Sequence, residues 1–154
     1  LRGLPTVVLA GGWGDLDDNE KFLEFSPMQP VSDVRALDLV TMTWTQPLPP
    51  LPHPRFWHSL AVQLDGTVLC CGGLVRGHER DESVWSVRVG SAEWTALPNA
   101  TVRQWSAVVA CPEDGAVLAM SGSDDDYTGS DAVERLELAA GVSTALPHPL
   151  LQWR

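Results

Sequence analysis

The residues best suited to chemistry are two acidic runs, Asp15-Leu16-Asp17-Asp18-Asn19-Glu20 and Asp124-Asp125-Asp126-Tyr127, together with four histidines and a few arginines. Asp15, Asp17 and Asn19 are spaced like the opening of a calcium-binding loop. Such a loop needs glycine at its sixth position and glutamate at its last, where this chain has Glu20 and Ser26. The runs therefore read as solvated acidic loops. His53, His58, His78 and His148 form no His-x-His pair, and no Cys-x-x-Cys accompanies them, so nothing gathers zinc ligands. His53 and His148 share a Leu-Pro-His-Pro context and read as turn positions, whereas His58 reads as a partly buried structural histidine. Ser59, Ser106 and Ser121 lie in no nucleophile-elbow pattern. No catalytic residue, metal ligand or cofactor is assigned. Arginine offers a different chemistry, because a guanidinium in a concave site can hold a carboxylate through two parallel hydrogen bonds. Arg55 and Arg103 occupy matching places in the chain, where each either contacts a partner or braces the strand it precedes. With Arg76, Arg80, Asp124, Asp125, Asp126 and Tyr127 they make up the expected partner-contact set.

Composition narrows the classes open to these residues. Apolar residues make up 44% of the 154, too many for a disordered chain. No apolar stretch approaches the length of a membrane-spanning helix. Twenty acidic against ten basic residues give a net charge of −10, which repels nucleic acid and favours basic partners. Cys70, Cys71 and Cys111 are too few and too oddly numbered for a disulfide framework. They read as buried free thiols, which favours a reducing, cytoplasmic setting.

The elements that must carry these residues emerge from an internal repeat. Thr95-Ala96-Leu97-Pro98 returns as Thr144-Ala145-Leu146-Pro147, 49 residues on. That offset also superimposes Asp65-Gly66 on Asp114-Gly115, Val68-Leu69 on Val117-Leu118, Gly73 on Gly122 and Val84 on Val133. An earlier copy places residues 6–12 on 67–73, and Val34 and Trp44 on Val84 and Trp94. An enlarged loop between Gly12 and Ser32 accounts for its longer spacing. Short apolar or alternating runs separated by turn residues predict strands over 57–63, 67–72, 83–89 and 93–97, then over 105–111, 116–121, 132–138 and 141–146. No segment carries a capped helical pattern, so the expected class is all-β.

Four strands in about 50 residues, a glycine doublet after a hydrophobic strand (Gly11-Gly12, Gly72-Gly73) and a later tryptophan (Trp44, Trp94) resemble the kelch-repeat family. The third copy departs from the pattern, with Ser121-Gly122 for the doublet and Ser143 for the tryptophan. The resemblance implies a partial β-propeller of about three four-stranded antiparallel blades, the first incomplete. Repeats fall at 5–52, 55–98 and 103–147, with the start of another at 150–154. Propellers close with 4 to 8 blades, so the expectation is either further blades beyond these or self-association that closes the ring. The two tryptophans are expected to fill the space between blades.

In this family the loops that join the second strand to the third, and one blade to the next, share a face that binds partners. Here they map to residues 13–32, 76–82, 123–131, 49–55 and 99–103. The implied function is a non-catalytic scaffold for a protein or peptide. The alternative is a piece of a kelch-like enzyme, an oxidase or sugar-processing protein, with its catalytic residues largely outside this chain. Copper oxidases of this kind use tyrosines and histidines, and Tyr127 is the only tyrosine here.

Overall fold

The computed structural model describes residues 6–14, 29–46, 48–102, 104–111, 113–123, 129–138 and 140–146. The architecture is all-β, with antiparallel sheets and one turn of 3-10 helix at Arg76–His78. The first sheet pairs β1 (Thr6–Ala10), β4 (Val34–Asp38) and β5 (Thr43–Thr45). Between β1 and β4 lies a short ladder of β2 (Trp13–Gly14) and β3 (Gln29–Pro30). The second sheet is a four-stranded meander of β6 (Ser59–Val62), β7 (Val68–Cys71), β8 (Ser83–Val87) and β9 (Thr95–Thr101). The third repeats it with β10 (Ala107–Ala110), β11 (Val117–Met120), β12 (Val133–Glu137) and β13 (Val142–Ala145). Each predicted strand in the last two copies has an observed counterpart. Most are a residue or more shorter at each end, whereas β9 runs on to Thr101.

The repeat extends to the backbone. The two meanders share one register, with Val68 opposite Val87 and Val117 opposite Leu136. The doublets Gly11-Gly12, Gly72-Gly73 and Ser121-Gly122 all take positive φ, at 60° and 114°, 66° and 101°, 63° and 105°. Ser121 thus adopts a left-handed conformation that glycine enters at little cost and other residues seldom enter.

Packing explains why the second strand of each copy reads as a nearly continuous apolar run. Side chains alternate across a strand, so Val68 and Cys70 meet the first sheet while Leu69 and Cys71 meet the third. Val68, Cys70, Val87 and Trp94 join Val34, Leu48 and Leu51 in one buried cluster. Leu69, Cys71, Val84 and Ala61 join Val102, Val117, Ala119 and Leu136 in another. All four residues of β7 are buried because the second sheet is covered on both faces. Trp94 fills the space between sheets as expected, and its indole donates to the Pro49 carbonyl at 3.0 Å. Trp44 differs. It is 53% exposed, because it lies on the outer face of the first sheet, where no described element covers it. Cys111 is only partly buried, unlike Cys70 and Cys71, and all three are free thiols. Among the described residues no helix is long and apolar enough to cross a membrane.

Candidate functional site

Past the glycine doublets the sheets narrow into single bridges, and these bridges hold a row of aromatic rings. Leu74 follows Gly73 and bridges both Phe56 and Arg80, while Ser123 follows Gly122 and bridges Gln104 and Gly129. In the first copy Trp13 pairs with Pro30. The chain entering each four-stranded sheet thus crosses the same end of the molecule just before it becomes β6 or β10. There Trp57 and Trp105 take φ of 56° and 57°. A bulky side chain in this region is an outlier that costs on the order of 1–3 kcal/mol. It occurs twice here, 48 residues apart, with the Trp105 amide donating to the Trp57 carbonyl at 3.1 Å.

The rings lie edge to face or tilted, a favourable geometry for aromatic pairs. Trp13 meets Phe56 at 4.4 Å, Phe56 meets Trp57 at 4.7 Å and Trp57 meets Trp105 at 4.4 Å between centroids. The His78 ring lies 5.7 Å from Trp13 and 5.8 Å from Phe56. Phe56 is buried and anchors the row, whereas Trp13, Trp57 and Trp105 are 40–43% exposed. Three indoles, one on β2 and one in each segment that enters β6 and β10, therefore present their surfaces to solvent at one end of the molecule.

Beneath the row a polar layer fixes its position. Arg55 is fully buried. Its Nη1 donates to the Gly72 carbonyl at 3.0 Å, its Nη2 to Asp81 Oδ2 at 2.7 Å, and its Nε to the His53 carbonyl at 3.4 Å. The Arg55 carbonyl accepts from the Gly12 amide at 2.7 Å, tying the first sheet to the second. Burial alone would raise the Asp81 carboxyl, but hydrogen bonds from the Ser83 hydroxyl and amide, with the Arg55 charge, hold it below its usual value. His58 Nε2 bonds the Ala10 carbonyl at 2.8 Å. Burial, reinforced by the Arg55 charge and opposed by that bond, pushes the His58 pKa down to about 4. The ring is neutral at physiological pH.

The residues singled out from sequence fall into three groups. Arg55 is spent on bracing, and with no exposed surface it cannot reach a partner in this conformation. Arg76 is exposed in the 3-10 turn, and Arg80 is partly buried and pairs with Glu82 at 3.1 Å. Both lie in the loop that holds His78, beside the aromatic row. Arg103, Asp124, Asp125, Asp126 and Tyr127 lie outside the described residues. The aromatic row itself was missed, because Trp57 and Trp105 read as strand openings. Their recurrence in Phe56-Trp57-His58 and Gln104-Trp105-Ser106 was the available signal.

The arrangement suits adhesion more than bond-making. Exposed indoles stack on flat groups and attract cations. Burial pushes the Cys70 thiol up to about 12 and raises Cys71 as well, so neither is a nucleophile at neutral pH. Among the described residues no three His, Cys, Asp or Glu side chains cluster to hold a metal ion. A groove of about 490 Å3 crosses between the second and third sheets, lined by residues including Thr67, Arg88 and Asp114. These three polar residues are already engaged: Asp65 takes the Thr67 amide and Arg88, and Asp114 takes the Ala116 amide and Arg135. The sequence matches no protein-family model and no curated protein.

Proposed function

We propose that the chain is a segment of a kelch-type β-propeller that acts as a non-catalytic scaffold, binding a protein or peptide through the end that bears the aromatic row. The propeller reading is supported by two four-stranded meanders in one register, and by three sheets joined face to face through successive apolar clusters. One observation carries the binding reading: Trp57 and Trp105 share a strained left-handed backbone at matching repeat positions and remain exposed in contact with each other. Packing alone would bury such rings, as it buries Trp94. Aromatic anchors of this kind dominate the energetics of protein interfaces. The net charge of −10 favours partners with Lys or Arg side chains, whose cations the indole faces also attract.

The test is selection from a displayed peptide library, followed by titration of the enriched peptides against Trp57→Ala and Trp105→Ala. Each substitution is expected to weaken binding tenfold or more, equivalent to at least about 1.4 kcal/mol, with the thermal midpoint retained. Failure to enrich any peptide, or wild-type affinity in both variants, would remove this reading.

A further inference from the structure

Peptides dock by a few recurrent modes, and the end that bears the aromatic row is equipped for one of them. Adding a strand requires a run of open sheet edge. Past the glycine doublets of the second and third sheets the described backbone pairs one residue at a time, at Phe56 with Leu74, Leu74 with Arg80, Gln104 with Ser123 and Ser123 with Gly129. The ladder of β2 with β3 is only two residues long. Such short pairings give an incoming strand little to extend. What this end does present is rings. Steps of 4.4, 4.7 and 4.4 Å between centroids lead from Trp13 through Phe56 and Trp57 to Trp105. The row is thus on the order of one turn of a polyproline II helix in length, roughly 9 Å for three residues.

The chemistry of the row suits that helix. Proline side chains are compact apolar rings that dock against aromatic faces. The indole N–H groups of Trp13 and Trp57 donate to no protein group among the described residues, and both side chains are exposed. A polyproline II backbone makes no internal hydrogen bonds, so its carbonyls are open to such donors. The row is also held in place, with Phe56 buried beneath it and the Trp105 amide bonded to the Trp57 carbonyl. A fixed platform and a preformed ligand both lose little freedom on meeting. The net charge of −10 favours a ligand that also carries Lys or Arg.

Resting on the binding reading above, we infer that the ligand of the aromatic row is a proline-rich segment carrying Lys or Arg, which lies across the row as a polyproline II helix. Prolines three residues apart recur on one side of that helix and meet the indole faces. Backbone carbonyls between them accept from the Trp13 and Trp57 indoles.

The test titrates the purified chain, by calorimetry and tryptophan fluorescence, with two short synthetic peptides of equal length and charge. Both end in lysine; one has proline at every third position or more often, and the other has alanine and serine in place of proline. The proline peptide is expected to bind at least tenfold more tightly. Trp13→Ala and Trp57→Ala are each expected to weaken it tenfold or more with the thermal midpoint retained, and Trp57→Phe, which keeps a ring without the N–H, threefold or more. Equal affinity for the two peptides, or wild-type affinity in all three variants, would overturn the inference. So would display-selected peptides that lack proline and bind through Trp57 while the proline peptide does not, an outcome that keeps the row as a peptide site. Binding of neither peptide, with none enriched by display, would remove the binding reading and the inference together.

Discussion

His58 is partly buried against the first sheet with its ring neutral, and its pKa of about 4 lies below the ordinary value of 6.5. The unfolded chain therefore binds a proton that the folded chain refuses. The resulting stability is fully present above pH 6.5 and is lost as the pH falls from 6.5 towards 4, by on the order of 3 kcal/mol. Asp81 acts in a lower window, because its depressed pKa contributes stability that is lost only as the pH falls below the carboxylate value of 3.8. The thermal midpoint is expected to decline between pH 6.5 and 4, and the decline is expected to flatten in His58→Gln, which keeps a donor for Ala10 without titrating. An unchanged acid slope in that variant would exclude His58 as the cause. The structural role of His58 was legible in the sequence from its place at the start of a repeated strand. The role of Arg55 was half legible: spacing marked it as a repeat position but could not choose between bracing and binding. Its partner Asp81 lies 26 residues away, and no local pattern announces a contact made across a loop.

At the scale of elements, the glycine doublets decide where each strand ends and how closely the next chain segment passes. A Cβ at Gly73 would lie 2.7 Å from the Phe56 carbonyl oxygen and 2.8 Å from the His58 Cβ, at a backbone φ of 101°. A Cβ at Gly12 would meet nothing within 4 Å, although φ there is 114°. Gly73→Ala thus combines backbone strain with overlap against main chain, for about 3 kcal/mol of lost stability. Gly12→Ala carries the strain alone, at about 1–2 kcal/mol. Denaturant unfolding of the two variants is expected to show this order, and equal losses would mean that the close approach below Phe56 is not rigid. Strands and doublets were legible because period-two patterning and glycine placement are local signals. The bridges beyond the doublets were not, since Leu74 and Ser123 pair one residue at a time. The left-handed turns at Trp57 and Trp105 were hidden for a related reason, as tryptophan is a residue that local propensity assigns to strands.

On the scale of the whole molecule, the second sheet holds the other two, because its residues take part in both apolar clusters. This order was foreshadowed by the repeat, which implies that each unit packs only on its neighbours. The exposure of Trp44 was not foreshadowed, because it depends on what lies beyond the first sheet. Unequal coverage implies unequal local stability, since segments with few buried contacts open without global unfolding. β7 is buried along its whole length, whereas every residue of β5 and β13 is exposed at an outer strand. Native-state hydrogen exchange is accordingly expected to protect the β7 amides to the level of global unfolding and to leave those of β5 and β13 exchanging fastest. Leu69→Ala removes a side chain that is 1% exposed at the contact between the second and third sheets, at a cost of about 2–5 kcal/mol. If the sheets unfold together, that substitution lowers protection in β1 and β4 as much as in β11 and β12. If they are joined only as neighbours, the loss falls on the third sheet and the first keeps its protection. The separate clusters, with no buried residue common to both, favour the second outcome.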